Sequence, residues 1–232
     1  MSSRPSVRSV RLVVRTFSEL CITVGTLIVL FVAYVLFWTG VKATEAADAE
    51  IATLHSRWAR QPAAPSASAA ASPPPYEDGK PFATMYVPRF GSGWKWPVLE
   101  NTEPRTLQKG LGHYSGTARP GESGNFAVAG HRRTYGDPFK DFPRLRPGDA
   151  VIVNDGTTWF TYRVAREPYR TVPTDTGVVD PVPRRSGFEG PGRYLTLTTC
   201  EPEWGSSHRL IAWAHLDATR PVSEGKPPEL PG

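Results

Sequence analysis

The cysteine at position 200 is the residue of this sequence whose chemistry most needs an explanation. The chain has two cysteines, and the other, Cys21, lies in a long apolar segment, so Cys200 has no available disulfide partner. A free cysteine is either a small buried hydrophobe or a reactive thiol. Cys200 follows a predicted strand, residues 193–199, and precedes Glu201-Pro202, so a strand gives way to a loop here. That placement suits a nucleophile held on a rigid support.

A cysteine attacks as the thiolate, and forming the thiolate requires a nearby base or cation. The candidate bases are four histidines of the C-terminal two thirds of the chain: His113, His131, His208 and His215. His131 ranks first because it follows a predicted strand, residues 125–129, through Gly130, which holds the imidazole at a strand end. His208 ranks second, and His113 lies in a glycine-rich loop with no strand to fix it.

Arg209 supplies a candidate cation for the same site. It comes nine residues after Cys200 and begins the next predicted strand, and a loop of this length can return the guanidinium to the thiol. A thiolate that attacks an amide carbonyl needs donors for the developing oxyanion, and a fixed guanidinium is a strong donor. A solvated charge at a strand edge is the alternative. Structural zinc on Cys200 and the histidines is disfavoured, because such sites take four Cys or His ligands and the chain has no Cys-x-x-Cys pair.

Short apolar runs rich in β-branched and aromatic residues must position these side chains. They predict strands at 83–87, 125–129, 150–154, 157–165, 193–199 and 209–216. Asp155-Gly156 between two of these runs is typical of a hairpin turn, because the pair tolerates positive φ angles. Helical segments are limited to 103–109 and 138–144. Many short strands avoid exposed edges by closing into a barrel, so we expect an all-β barrel.

The N-terminal part predicts a membrane anchor. Residues 20–41 carry no charge, and at about 1.5 Å per residue they span roughly the 30 Å core of a bilayer. Four arginines precede this segment and acidic residues follow it, so the positive-inside rule predicts a cytoplasmic arm, 1–19, and export of the remainder. A cleaved signal peptide is the alternative, although its apolar part usually has only about 7–15 residues.

The rest of the chain divides by composition. We expect a juxtamembrane helix followed by a Pro/Ala/Ser linker over 42–81, a folded domain over 82–219 and a Pro-rich tail over 220–232. The formal net charge is +5, but the first 20 residues hold four arginines against one glutamate, which leaves only +2 for the other residues. This distribution gives no support to nucleic-acid binding, which needs basic residues clustered on the folded domain.

Three separated motifs resemble one family. Thr196-Leu197-Thr198-Thr199-Cys200 matches the sortase signature Thr-Leu-x-Thr-Cys, with Arg209 soon after it and His131 well upstream. Residues 124–136, GNFAVAGHRRTYG, and 107–114, LQKGLGHY, look like the class E sortases of high-G+C Gram-positive bacteria. The resemblance covers about 83–216, in addition to the anchor and spacer that the family usually carries.

The resemblance implies an eight-stranded sortase barrel and a membrane-bound cysteine transpeptidase, with the catalytic domain outside the cell. Cys200 would attack the threonine carbonyl of a sorting signal resembling Leu-Ala-x-Thr-Gly on a secreted protein, forming a thioester. His131 would exchange protons with the leaving and incoming amines, and Arg209 would stabilise the oxyanion or hold the signal. A peptidoglycan-precursor amine would then resolve the thioester. No metal or other cofactor is expected.

The sequence also offers candidate substrate-binding residues. Val128, Leu195 and Ile211 are candidates to line a groove for the leucine of the signal, with ordinary core positions as the alternative. Thr199 and Tyr135, which lie within the matching motifs, are further candidates. Three other functions stay open, namely a pilus-polymerising sortase, a hydrolytic cysteine peptidase using the same residues, and a non-enzymatic tethered binding module.

Overall fold

The computed structural model describes residues 7–60 and 74–230, so most of the expected Pro/Ala/Ser linker lies outside the described residues. The helices are α1, Val7–Arg60, and the one-turn α2, Pro104–Leu107. The strands are β1 Pro81–Tyr86, β2 Lys95–Glu100, β3 Leu111–His113, β4 Gly124–Ala129, β5 Ala150–Asn154, β6 Thr158–Val164, β7 Tyr169–Thr171, β8 Arg193–Glu201 and β9 His208–Pro221. Short 3-10 turns complete the connections, among them Phe142–Arg144 and Thr176–Val179.

Eight of these strands close into a ring. The order is β6-β5-β1-β2-β3-β4-β8-β9, and β9 pairs with β6 to complete the circle. The pairs β2–β3 and β4–β8 are parallel and the remaining pairs are antiparallel, so the barrel is mixed. The short β7 pairs with β9 outside the ring. The expected eight-stranded barrel is confirmed, and closure leaves the ring without a free edge.

Alternation along the strands sorts side chains between the inside and the outside of the barrel. On β8, Leu195 and Leu197 point into the main core, where they meet Phe126 and Val128 of β4. The intervening β8 residues face outward. The connection between β7 and β8 folds over this outer face, where Val178 packs against Ile211 and Trp213 of β9. An outer layer therefore covers part of β8 and β9 and leaves their ends accessible.

Helix α1 is continuous from the N-terminal apolar segment to the expected juxtamembrane helix. Within it, Val14–Tyr34 has the length and composition to cross a membrane, and its side chains are exposed. Farther along, the helix packs against β1 and β2 of the barrel. The residues of α1 that this contact buries share one face: Ala43, Ala47, Ile51 and Leu54. The apolar face of the juxtamembrane segment thus packs against the barrel.

Candidate active site

The ends of three neighbouring strands bring the sequence-predicted catalytic residues together. Cys200 on β8 is the direct partner of Arg209 on β9. On the other side of β8, Ala129 of β4 is the partner of Thr198, and the Gly130 amide donates to the Thr198 carbonyl at 3.1 Å. The parallel alignment therefore extends beyond the end of β4 and brings His131 next to Cys200. Adjacent strands lie about 4.8 Å apart, so this register puts the backbones of His131, Cys200 and Arg209 in one row across the strand ends.

A second hydrogen bond fixes the same junction from inside the barrel. The Thr199 hydroxyl, which is buried, donates to the Gly130 carbonyl at 2.8 Å. Gly130 has room for no side chain, because a Cβ atom there would lie 2.6 Å from the Phe139 ring and 2.7 Å from Leu111. Gly130 and Thr199, which directly precede His131 and Cys200, are thus hydrogen-bonded to each other. This tie sets the spacing of the two functional side chains.

The surroundings of the His131 imidazole affect both its pKa and its hydrogen bonding. Burial lowers its pKa, and the nearby Asp137 carboxylate opposes that shift. Its Nε2 atom is buried and has no hydrogen-bond partner among the residues that the structure describes. The Tyr135 ring lies against the imidazole with the ring centroids 5.1 Å apart. A neutral ring with one uncommitted nitrogen is the form that can take a proton from a thiol or an amine.

The loop after His131 is connected to the loop after Cys200 by ion pairs. Arg132 is bound to Glu201 at 2.7 Å, and both residues directly follow a catalytic candidate. Arg133 is paired with Glu203 and lies over the Trp204 ring, with its guanidinium carbon 4.8 Å from the centroid. These contacts hold the two loops as one unit, which limits how far the imidazole and the thiol can separate.

Arg209 reaches across the loop that precedes it. Its Nη1 donates to the carbonyls of Ser206 and His208, at 2.9 Å each. This arrangement fixes one side of the guanidinium, which also borders a small cavity. His208, the second candidate base, is the partner of Glu201 and contacts Arg170 at 3.0 Å. It therefore lies one step past the row that holds Cys200.

The cavity beside Arg209 has a volume of about 100 Å³. It opens on the outer face of β8 and β9, under the connection that follows β7, and its walls include Tyr114, Val172, Val178, Thr198, Arg209 and Ile211. The Tyr114 hydroxyl is hydrogen-bonded to that of Thr198 at 2.9 Å. The wall is apolar at Val178 and Ile211 and polar at Tyr114 and Thr198. A cavity of this size has room for about one apolar side chain.

A profile of the sortase domain matches residues 85–217, which is more than half of the chain. The chain belongs to the sortase family. It is 40% identical over 223 residues to Sortase SrtE1 of Streptomyces coelicolor, an alignment that covers 93% of this chain and 60% of that protein. The chain therefore matches less than two thirds of the length of that relative.

Solved structures of other sortases are similar to this sortase. Sortase E from Streptomyces avermitilis superposes with a TM-score of 0.64 at 67% identity, covering 67% of this chain and 100% of that one. Sortase E1 from Streptomyces coelicolor, solved with a tripeptide in the active site, gives a TM-score of 0.62 at 40% identity. That match covers 65% of this chain and 96% of the other.

The candidate substrate-binding residues of this sortase occupy three kinds of position. Ile211 borders the cavity near Arg209. Val128 and Leu195 are fully buried inside the barrel, so the core alternative describes them and neither side chain reaches the groove. Thr199 also points inward, to Gly130, and Tyr135 contacts the imidazole of His131. Sequence reasoning missed Tyr114 and Thr198, although both lie inside the matching motifs.

His113 also differs from the sequence-based expectation, which was wrong about its surroundings. It lies on β3 and is buried, with Nδ1 at 2.6 Å from a carboxylate oxygen of Glu100 on β2. Its Nε2 lies 2.9 Å from the Thr117 hydroxyl. The ring is therefore part of the buried framework and is not available to the thiol. Among residues 7–60 and 74–230, no cluster of three or more His, Cys, Asp or Glu side chains is arranged to hold a metal ion.

Proposed function

We propose that this chain is a membrane-anchored cysteine transpeptidase. It cleaves a sorting signal resembling Leu-Ala-x-Thr-Gly between Thr and Gly on a secreted protein, and it joins the new C terminus to an amine of a peptidoglycan precursor. The observation that carries the proposal is the row of His131, Cys200 and Arg209 across the ends of β4, β8 and β9.

In the first step the Cys200 sulfur bonds to the threonine carbonyl carbon. His131 takes the thiol proton, and the carbonyl becomes a tetrahedral oxyanion. The C–N bond to glycine then breaks, and His131 returns the proton to the leaving amine, which leaves a thioester on Cys200. An incoming amine attacks this thioester and loses a proton to His131, and the regenerated thiol leaves as the new amide forms.

The electrostatics of the site support these roles. Because burial lowers the pKa of His131, the imidazole is neutral near pH 7 and can act as the base. Arg209 lies opposite Cys200 on β9, and the guanidinium donors other than Nη1 can stabilise the oxyanion or hold the signal backbone. A thioester suits the reaction because it keeps enough reactivity for an amine to attack.

The cavity beside Arg209 supports recognition of an extended peptide. Thr198 lies two residues before Cys200 on the same outward face of β8, and the cavity walls continue from it to Val178 and Ile211. A signal whose threonine carbonyl meets Cys200 would extend along this face toward the apolar walls. The leucine of the signal finds its apolar surroundings there.

Helix α1 supports a location beside the membrane. The arginines before its apolar segment favour a cytoplasmic N terminus. In this orientation the barrel lies outside the cell. An anchored enzyme meets exported proteins and lipid-linked precursors at a raised effective concentration. That arrangement suits a wall-anchoring role.

The experiment uses the full chain in lipid nanodiscs with a Leu-Ala-x-Thr-Gly peptide and an amine acceptor. Mass spectrometry should find the peptide cleaved after threonine and ligated to the amine, and Cys200→Ala should form no product. Free acid as the sole product would make the hydrolytic peptidase the correct function. Undiminished ligation by Cys200→Ala would refute a cysteine mechanism.

A further inference from the structure

The loop that carries His131 has an unusual backbone. Four consecutive residues, Thr134 to Asp137, have positive φ angles of 80°, 50°, 82° and 54°. Only glycine adopts this region freely, and just one of the four, Gly136, is a glycine. Such a run persists when surrounding contacts hold it in place. The contacts around this loop therefore decide where the His131 ring stands.

One of those contacts comes from helix α1. A Cβ atom at Gly136 would lie 2.5 Å from the Trp96 ring and 3.5 Å from the Cβ of Ala43. Ala43 is only 4% exposed, and a side chain at Gly136 would be in van der Waals contact with it, so the helix lies close to the loop here. The neighbouring Tyr135 lies against His131, and its hydroxyl accepts a hydrogen bond from Gln108 at 3.3 Å. The path from α1 to the imidazole is thus two contacts long.

The helix is held in this position along its length. Glu50 is paired with Lys109 at 3.0 Å, and the Arg57 guanidinium donates to the Pro81 carbonyl at 2.9 Å. Farther on, the Trp58 indole covers Gly156, where a Cβ would lie 2.5 Å from its ring. Ala47 belongs to the same core cluster as the barrel interior. These contacts fix the level of Ala43 relative to the loop.

We propose that helix α1 is a positioning element of the active site, in which Ala43 backs Gly136 and thereby holds Tyr135 and the His131 imidazole beside Cys200. The proposal rests on the proposed function, because positioning matters only if His131 exchanges protons with Cys200. Ala43 lies two residues beyond Val41, the last residue of the uncharged segment, or about 3 Å along the helix. Movement of the membrane helix is therefore transmitted to the catalytic loop through a short, stiff connection.

The test compares two substitutions of the same size, one on the buried face of α1 and one at an exposed position. Ala43→Leu adds bulk against the loop, whereas Ala49→Leu adds the same bulk at an exposed position. Both are made in the full chain in nanodiscs, in a Cys21→Ser background that leaves Cys200 as the single thiol. Ala43→Leu should lower kcat at least about tenfold, since small misplacements of catalytic groups have effects of this order. KM for the peptide should change less than about twofold.

Reactivity of Cys200 supplies a readout that does not need turnover. The rate of alkylation by iodoacetamide, followed against pH, should change in Ala43→Leu and match the unaltered chain in Ala49→Leu. Ala43→Ser, which is close to alanine in size, should keep both kcat and the alkylation profile. Failure of the unaltered chain to ligate would refute the proposed function, while the alkylation comparison still tests the helix.

Two results would overturn the inference. One is a normal kcat and a normal alkylation profile for Ala43→Leu; the other is a loss confined to KM. If Ala43→Leu unfolds, Glu50→Gln tests the same point, because it weakens the docking of α1 without adding bulk. It should lower kcat by about twofold to fivefold, consistent with loss of a partly exposed ion pair, whereas Glu45→Gln on the exposed face should not. Equal kcat values for these two variants would also contradict the positioning role.

Discussion

Replacing Thr199 with valine should separate His131 and Cys200, the proposed catalytic pair, without changing either residue. The Thr199 hydroxyl is buried and donates at 2.8 Å to the Gly130 carbonyl, the residue before His131. Valine has nearly the same shape, so the substitution removes the hydrogen bond and leaves no cavity. The Gly130 amide keeps its bond to the Thr198 carbonyl, so the end of β4 loses one of two ties to β8.

The expected magnitude follows from the burial of that carbonyl. Leaving a buried acceptor without its donor costs about 1–3 kcal/mol. At the middle of that range the melting temperature of a domain of this size falls by roughly 4–8 °C. Because His131 is the next residue, we also expect kcat to fall about tenfold, equivalent to about 1.4 kcal/mol in the barrier. KM should change little, since the hydroxyl points away from the groove.

The assay measures ligation kinetics and thermal unfolding for Thr199→Val and Thr199→Ser in the full chain. Serine keeps the hydroxyl and should keep kcat within about twofold, while it loses stability through the missing methyl group. A rise in KM with unchanged kcat for Thr199→Val would show that the hydroxyl contacts the peptide. That result would refute the positioning argument and restore Thr199 as a substrate-binding residue.

Three further predictions concern the loop and the framework. Gly130→Ala should lower the melting temperature and kcat, because its Cβ would overlap the Phe139 ring. The free energy of unfolding should fall by about 1–3 kcal/mol. Gly190→Ala is the control, because nothing lies within 4 Å of a Cβ there. Asp137→Asn should lower the pKa of His131 further, because that carboxylate opposes the effect of burial. The neutral imidazole then persists to lower pH, so the acidic limb of the kcat/KM profile should move to lower pH, whereas Asp141→Asn should leave it unchanged. Glu100→Leu should destabilise the barrel by about 1–3 kcal/mol in chemical denaturation, since it leaves the buried Nδ1 of His113 without its hydrogen-bond partner, and additivity with His113→Gln would contradict that coupling.

The strands that the sequence predicts are those with long β-branched or aromatic runs. Residues 125–129, 150–154 and 209–216 all lie within observed strands. The sequence pattern does not predict β2, which contains a proline, or β3, which has three residues with a glycine at its centre. Such segments carry too little local preference, and their pairing in the closed sheet makes them strands. His113 was misplaced for this reason, because its position on β3 depends on that pairing.

The candidate catalytic residues could be proposed from the sequence because Cys200 is the one cysteine outside the apolar segment and because His131 and Arg209 stand at strand ends within or near the matching motifs, whereas the roles of their neighbours depend on register. Val128, Leu195 and Ile211 are all apolar strand residues, yet only Ile211 faces the outer groove. A shift of one residue in the strand register would exchange the inner and outer faces of the barrel. The apolar character of a residue does not reveal which of these faces it occupies. The contact of α1 with the barrel was equally hidden, because a helical stripe does not say what will cover it.

The signature around Cys200 can be understood as two interleaved sets of residues. Thr196 and Thr198 face outward with Cys200, and their hydroxyls bond Asn125 at 2.9 Å and Tyr114 at 2.9 Å. Thr199 faces inward and bonds Gly130, while Leu197 fills the core beside it. Each hydroxyl therefore ties β8 to a different residue of the neighbouring chain segments.

These three ties have a common consequence for the thiol. Cys200 lies at the end of β8, where the strand would otherwise fray into the following loop. The hydroxyl nearest to it in sequence, that of Thr199, is bound to the residue before His131, so the strand end and the base are fixed to each other. The hydroxyl farthest away, that of Thr196, anchors a position four residues earlier and is fully buried. Loss of the Thr196 hydroxyl should therefore act mainly on stability, and loss of the Thr199 hydroxyl on the rate as well.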